Sequence, residues 1–181
     1  QILGELVDYG LLLRPTTTYL VTHTLAHSYA RTQCPLGPKT VNSLALYFAA
    51  KAEAESAKGL AGYAALNDQR AHIVAVQAAA LKAEQWNAVR QITWKVEDYL
   101  DLQGHFTDRQ TIIQAGLVAA RASNARYDEA EFLNRHGIAC VALGETHRAV
   151  ELYKQALAID RKIGDLNGDG RDDFVWRQGE Q

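Results

Sequence analysis

The residues of this chain that could do chemistry are few and scattered. His23 and His27 stand four positions apart on an expected helix, a spacing that turns both imidazoles toward one metal ion. A zinc-protease helix also carries Glu directly after the first His, and Thr24 stands there instead. Gly37-Pro38-Lys39-Thr40 has parts of a phosphate-wrapping loop, but that loop needs Gly immediately before Lys. Pro38 has no N–H to offer, so a loop leading into a helix is expected. Asp165, Asn167, Asp169 and Asp173 alternate oxygen donors around Gly170, a pattern suited to Ca²⁺. Trp176 occupies the position where a calcium-binding helix–loop–helix needs its bidentate Glu, and the strongly helical stretch Arg148–Ile163 precedes the loop. An inter-helix turn is therefore expected there, with calcium ligation as the alternative. No nucleophile elbow, metal cluster or convincing carboxylate pair is present, which points away from an enzyme.

The elements that would position these residues follow from composition. Apolar residues make up 48% of 181, enough for a continuous core. Alanine is abundant, and with Leu, Glu, Gln, Lys and Arg it makes up half of the chain, the residues that lose least on entering a helix. Only three prolines occur, and two of them, Pro35 and Pro38, share one short segment with Gly37. The net charge of −2 and the lack of a Lys/Arg-rich run give no strong field toward nucleic acid or anionic membrane. Apolar runs fall well short of the roughly 18–20 residues that span a bilayer, and no signal peptide is seen. Cys34 and Cys140 lie far apart and read as reduced thiols of a cytoplasmic protein. The chain opens at Gln1 and contains no methionine, so a piece of a longer protein is expected, with chemistry possible in the missing part.

Along the chain, residues 2–13 suggest a short amphipathic helix running into an extended segment. Leu11–Leu13 and Tyr19–Val21 suit a small β-hairpin around Pro15 and three threonines. A short helix, TLAHSYAR, then ends at the Pro/Gly segment, the clearest boundary in the chain. Beyond it helices are expected near 39–58, 66–83, 85–103, 106–123, 127–143, 145–163 and 170–179. Their connections are marked by Gly59/Gly62, Glu84, Gly104, Asn124 and Gly144. Short connections make antiparallel neighbours. A 40-residue shift lays Gly104 on Gly144, Leu117 on Leu157 and Arg121 on Arg161. A 42-residue shift lays Phe132 on Phe174 and Gly137 on Gly179, so DDFVWRQG reads as the first helix of a further, truncated repeat. In the unit Asn134–Asp165, Gly137 allows close helix approach, Ala149 and Ala156 are small where helices cross, and Tyr153 and Leu157 fill the gap. Trp86, Trp94 and Trp176 sit at helical positions near apolar neighbours, where core packing is the default.

From about Ala130 to Asp165 the chain resembles the longer tetratricopeptide repeats of bacterial signalling proteins. The matching residues are Leu133, Asn134, Gly137, Ala139, Leu143, Gly144, Ala149, Tyr153, Ala156–Ile159, Arg161 and Ile163–Asp165, with Cys140 in place of the usual Tyr. Residues 6–31 resemble the end of the winged-helix domain of NB-ARC-type STAND ATPases, on Leu6, Val7, Asp8, Leu11, Leu12, Tyr19, His23, Leu25, Tyr29, Ala30 and Arg31. That resemblance implies that His23 contacts a nucleotide phosphate in the parent protein, although its neighbours Thr22 and Thr24 depart from the family motif. It also implies an ATP- or ADP-binding domain upstream, and oligomerisation of the parent on activation.

These readings give an all-α chain, an α-solenoid of tetratricopeptide-like helical hairpins. A winged-helix remnant spans residues 1–35 and a repeat array spans 39–181. In such arrays the first helix of each pair lines a groove. With Gly137 as position 8, that face holds Glu131, Asn134, Ile138 and Val141. One repeat earlier it holds Gln91, Trp94, Asp98 and Asp101, where Trp94 between carboxylates suits a basic or aromatic peptide. The expected function is non-catalytic: a protein- or peptide-binding, ligand-sensing and autoregulatory module of a STAND-type signalling ATPase. Binding would shift the winged helix off the nucleotide domain. The alternative is the peptide-sensing region of a transcription regulator with a winged-helix DNA-binding unit.

Overall fold

The computed structural model describes residues 2–9, 11–15, 20–21 and 36–164. Among them the chain is all-α apart from one two-stranded ribbon, and its contacts divide it into two units, Gln1–Gly37 and Pro38–Gln181. The first unit contains α1 (Ile2–Asp8), β1 (Leu12–Leu13) and β2 (Leu20–Val21). The strands pair antiparallel, Leu12 opposite Val21 and Leu13 opposite Leu20, within the expected hairpin. The TLAHSYAR helix with His23 and His27, the loop from Asp165 to Asp173 and the 170–179 helix lie outside the described residues.

The second unit is a helical-repeat fold. It comprises α2 (Pro38–Ser56), α3 (Leu60–Asn67), α4 (Arg70–Lys82), α5 (Trp86–Leu102), α6 (Phe106–Ala122), α7 (Arg126–Ala142) and α8 (Thr146–Gly164). Pro38 is the first residue of α2, where its fixed φ and missing N–H cost nothing, so the Gly37–Thr40 stretch is a helix start. Helices α5, α6 and α7 are each 17 residues long. Each is joined to the next by three residues whose middle one has positive φ: Gly104 at 72°, Asn124 at 53° and Gly144 at 79°. Glu84, at 55°, does the same between α4 and α5. Around each of these residues the same pair of bonds closes the helix. At the end of α5, His105 N–H donates to Leu100 O at 2.8 Å and Gly104 N–H to Asp101 O at 3.0 Å. This is a Schellman cap, which satisfies terminal carbonyls and reverses the chain in minimal length. The identical caps fix the 40-residue repeat that the sequence showed as sparse matches.

One boundary differs from the expectation. The stretch expected as one helix over 66–83 is two, α3 and α4, broken at Asp68–Gln69, and α3 begins six residues earlier. Gly62 is therefore inside a helix and not in a connection. A Cβ there would overlap the Glu55 carbonyl, so α3 lies against the end of α2 only because residue 62 has no side chain.

The helices pack in layers. Helix α2 contacts α3, α4 and α5, α4 contacts α5 and α6, and then α5 packs on α6, α6 on α7 and α7 on α8. One core joins Ala45 of α2, Leu66 of α3, Ile73 of α4 and Ile92 of α5 with Ile112 of α6. A second joins Ile113 and Leu117 of α6 with Phe132 and Leu133 of α7 and Leu152 and Ile159 of α8. Because α6 feeds both cores, each hairpin buries its apolar faces only by stacking on the next.

The close approach assigned to Gly137 is present. A Cβ on Gly137 would lie 2.5 Å from Tyr153 Cε1. Ala149 and Ala156 are buried as expected, but Leu157 is 50% exposed and fills no gap. Gly137→Ala is expected to cost about 1–2 kcal/mol, overpacking against the ring outweighing the helix propensity gained. Tyr153→Leu should recover part of the loss when added to Gly137→Ala, as read by urea denaturation.

Candidate functional site

Helix α5 carries the most chemically varied exposed face among the described residues. Its 3.6-residue period brings Gln91, Trp94, Lys95, Asp98, Asp101 and Leu102 to the surface while Ile92, Val96, Tyr99 and Leu100 go into the core. Trp94, Asp98, Tyr99 and Asp101 line one side of an open cleft of ≈ 520 Å³. Glu53 and Ser56 of α2 and Tyr63 of α3 line the other side. The cleft exists where the array is irregular. The short α3 stands where a full-length partner helix would otherwise lie against α2, and Gly62 sets its approach. Across the cleft, Lys95 Nζ bonds Glu53 Oε1 at 2.6 Å, and the Tyr63 and Tyr99 rings stand 5.9 Å apart.

The two carboxylates expected beside Trp94 already have partners. Arg109 of α6 bonds Asp101 Oδ1 at 2.7 Å, and Arg135 of α7 bonds Asp98 Oδ1 at 2.9 Å. Between them lies Glu97, fully buried. Its Oε1 accepts Arg109 Nε at 2.7 Å and also Arg109 Nη2, and its Oε2 accepts Arg135 Nη1. Burial lifts the Glu97 carboxyl above the ordinary carboxylate range, against the downward pull of Arg109 and Arg135. Burial also works against charge on Arg135, but Glu97 and Asp98 outweigh it and hold the guanidinium more firmly protonated.

Helical spacing alone assigns no role to Glu97, Arg109 or Arg135, yet a signal is present. In the 40-residue alignment Glu97 and Arg109 fall on Gly137 and Ala149. The small pair that lets Tyr153 close the α7–α8 hairpin is thus replaced, between α5 and α6, by an ion pair that fills the same space. A charged pair at two interior repeat positions could have been read as a buried salt bridge.

Trp94 is half-buried. Its ring stacks near Tyr127 at 6.4 Å and lies 5.1 Å from Phe132 and 5.0 Å from the Arg135 guanidinium. It therefore lies in the seam between α5 and α7 and presents one edge to the cleft. Glu131 is drawn toward the same cluster, 4.0 Å from Arg135 Nε. Asn134 and Ile138 are exposed on α7 but do not line the cleft, and neither does Gln91. The structure thus joins Trp94, Asp98, Asp101 and Glu131 through two arginines and leaves Gln91, Asn134 and Ile138 apart. His23 and the Asp165, Asn167, Asp169 and Asp173 set are outside the described residues. Among the described residues no three His, Cys, Asp or Glu side chains are grouped to hold a metal ion. Cys140 is free and buried, and burial pushes its thiol up.

Two histidines are expected to make stability depend on pH. His105, in the α5–α6 turn, has Arg70 Nη1 at 2.8 Å from Nε2, and its Nε2 lies 2.7 Å from Asn67 Oδ1. Tyr99 also donates to Asn67 Oδ1, at 2.6 Å, and Asp108 holds Arg70 at 3.0 Å. Burial and then Arg70 lower the His105 pKa, against Asp108. His136, 3% exposed, has no partner for Nδ1, and burial and then Arg148 lower its pKa. A lowered imidazole pKa favours folding above the ordinary value near ~6.5 and loses that contribution as pH falls. The urea midpoint should therefore be lower at pH 5 than at pH 7.5. His136→Val, the residue its repeat equivalent Val96 supplies, should narrow that gap.

No helix among the described residues is long and apolar enough to cross a membrane. No protein-family model, curated protein or solved structure matches this chain.

Proposed function

We propose that this chain is a non-catalytic interaction module in which the helical array holds a basic peptide or protein segment against the cleft of α5. The observation that carries this reading is the cleft itself. Aromatic side chains (Tyr63, Trp94, Tyr99) stand beside Asp98, 75% exposed, and Asp101, 44% exposed. The surrounding cluster sets five carboxylates (Glu53, Glu97, Asp98, Asp101, Glu131) against three cations (Lys95, Arg109, Arg135), so its field remains acidic. A Lys or Arg side chain entering the cleft meets exposed carboxylate lone pairs and a ring face or edge, both favourable to a cation.

The residues resembling a tetratricopeptide repeat, and the helix and short hairpin at the start of the chain, support a wider setting. There the module belongs to a cytoplasmic STAND-type signalling ATPase, with nucleotide chemistry in a domain upstream. Partner binding changes the array's preference between two states of that parent.

Calorimetric titration of the full chain with basic, acidic and apolar peptides tests the binding site. The basic peptides are expected to bind, more weakly at high salt, and Asp98→Asn is expected to weaken them by about tenfold, near the loss of one charge-assisted bond. Asp98 is too exposed for that change to unfold the protein. Equal affinity for all three peptide classes, or full affinity in Asp98→Asn, would overturn the assignment.

A further inference from the structure

Two joints of the array are braced by a cation that reaches back to an acidic side chain of an earlier helix. At the α5–α7 joint the cation is Arg135. Its guanidinium bonds Glu97 and Asp98 of α5 and lies 5.0 Å from the centre of the Trp94 ring, so carboxylates and an aromatic wall hold it together. Forty residues earlier the equivalent position holds Lys95. Lys95 Nζ donates to Glu53 Oε1 of α2 across the cleft at 2.6 Å. These two side chains are 40% and 62% exposed, against 25% for Arg135. Tyr63, Tyr99 and Trp94 line the same cleft. An exposed lysine–carboxylate pair contributes little to stability, so it yields to a better cation.

We propose, resting on the reading that the α5 cleft binds a basic segment, that the cleft selects an arginine side chain and that Lys95 is its gate. Asp98 and Asp101 attract any basic segment, whereas Glu53 discriminates. A guanidinium from the ligand takes Glu53 from Lys95 by pairing both carboxylate oxygens at once, and its plane stacks on the aromatic lining. Arg135 already combines a carboxylate and a ring in this way on Asp98 and Trp94. A ligand lysine gains nothing by the same exchange, because it replaces one ammonium–carboxylate bond with another. Its more strongly hydrated charge also stacks less well on a ring. Lys95 thus holds back ligands that bring only an ammonium and yields to one that brings a fork.

Calorimetric titration of the full chain with an arginine-containing peptide and its lysine twin, equal in net charge, tests the gate. The arginine peptide is expected to bind about tenfold tighter, near one added charge-assisted bond. Glu53→Gln should bring the arginine peptide down to within about twofold of its twin. Lys95→Met should tighten the arginine peptide by up to about fivefold, the scale of an exposed ion pair that no longer has to be broken. Both positions are exposed and lie outside the two cores, so urea midpoints close to that of the unmodified chain are expected. Equal affinity for the twins overturns the proposal, as does an arginine preference that survives Glu53→Gln. An arginine peptide bound no tighter by Lys95→Met overturns it as well. If basic peptides bind and weaken in Asp98→Asn yet show no arginine preference, the gate alone falls. If neither twin binds, the reading of the cleft falls with it.

Discussion

Arg109→Met is expected to destabilise the protein by about 3–5 kcal/mol, the cost of leaving a buried charge without its partner. Arg109 is 3% exposed and gives Glu97 two of its bonds, so the substitution leaves a fully buried carboxylate held only by the more exposed Arg135. Burial already lifts the Glu97 carboxyl, and without Arg109 the lift grows, so the variant should lose stability further as pH rises and that carboxyl ionises. A second change that removes the charge, Glu97→Gln, is expected to recover much of the loss in the double variant, because no unpaired ion is then buried. Urea denaturation of the two single variants and the double variant gives the coupling directly. Independent, additive losses from Glu97 and Arg109 would show that the pair does not act as a unit.

Phe132→Ala is expected to cost a further independent ~3–5 kcal/mol, the range for deleting a fully buried aromatic side chain. Phe132 is 0% exposed and belongs to the core that joins α6, α7 and α8, with its ring 5.1 Å from Trp94 of α5. A double-mutant cycle with Trp94→Ala should return about 0.5–1.5 kcal/mol of coupling for the ring pair. The effect should also be directional. Stacked hairpins touch only their neighbours, so weakening this seam loosens α7–α8 from α5–α6 more than it loosens α2–α4. Fluorescence and far-UV melts are expected to coincide in the unmodified chain and to separate in the variant, with the far-UV transition the broader.

Much of the fold was legible because it rests on local rules. Gly104, Asn124 and Gly144 mark turns from sequence since Gly and Asn tolerate the left-handed backbone that a Schellman cap requires. Glu84 adopts the same conformation without that tolerance and was found only by its place between two helical stretches. The break between α3 and α4 was not legible. Neither Asp68 nor Gln69 is a strong helix breaker, and α3 is set by its packing on α2 across Gly62. The candidate site was legible only in part. Trp94, Asp98 and Asp101 follow from helical spacing, and the cleft they line was not foreseeable from that spacing.

By itself the sequence determined an all-α chain of antiparallel helices, the length of the hairpins from α5 onward and the close approach at Gly137. All of these follow from propensity, capping and periodicity within some twenty residues of chain. Only the tertiary structure decided which charges meet. Glu97, Arg109 and Arg135 lie on three different helices, and Arg135 is 38 residues from Glu97 along the chain. Whether a carboxylate faces solvent or a guanidinium depends on how hairpins stack, which no local pattern encodes. For that reason the face on α5 that reads as two free aspartates beside a tryptophan is, in the folded protein, a braced network with one open side.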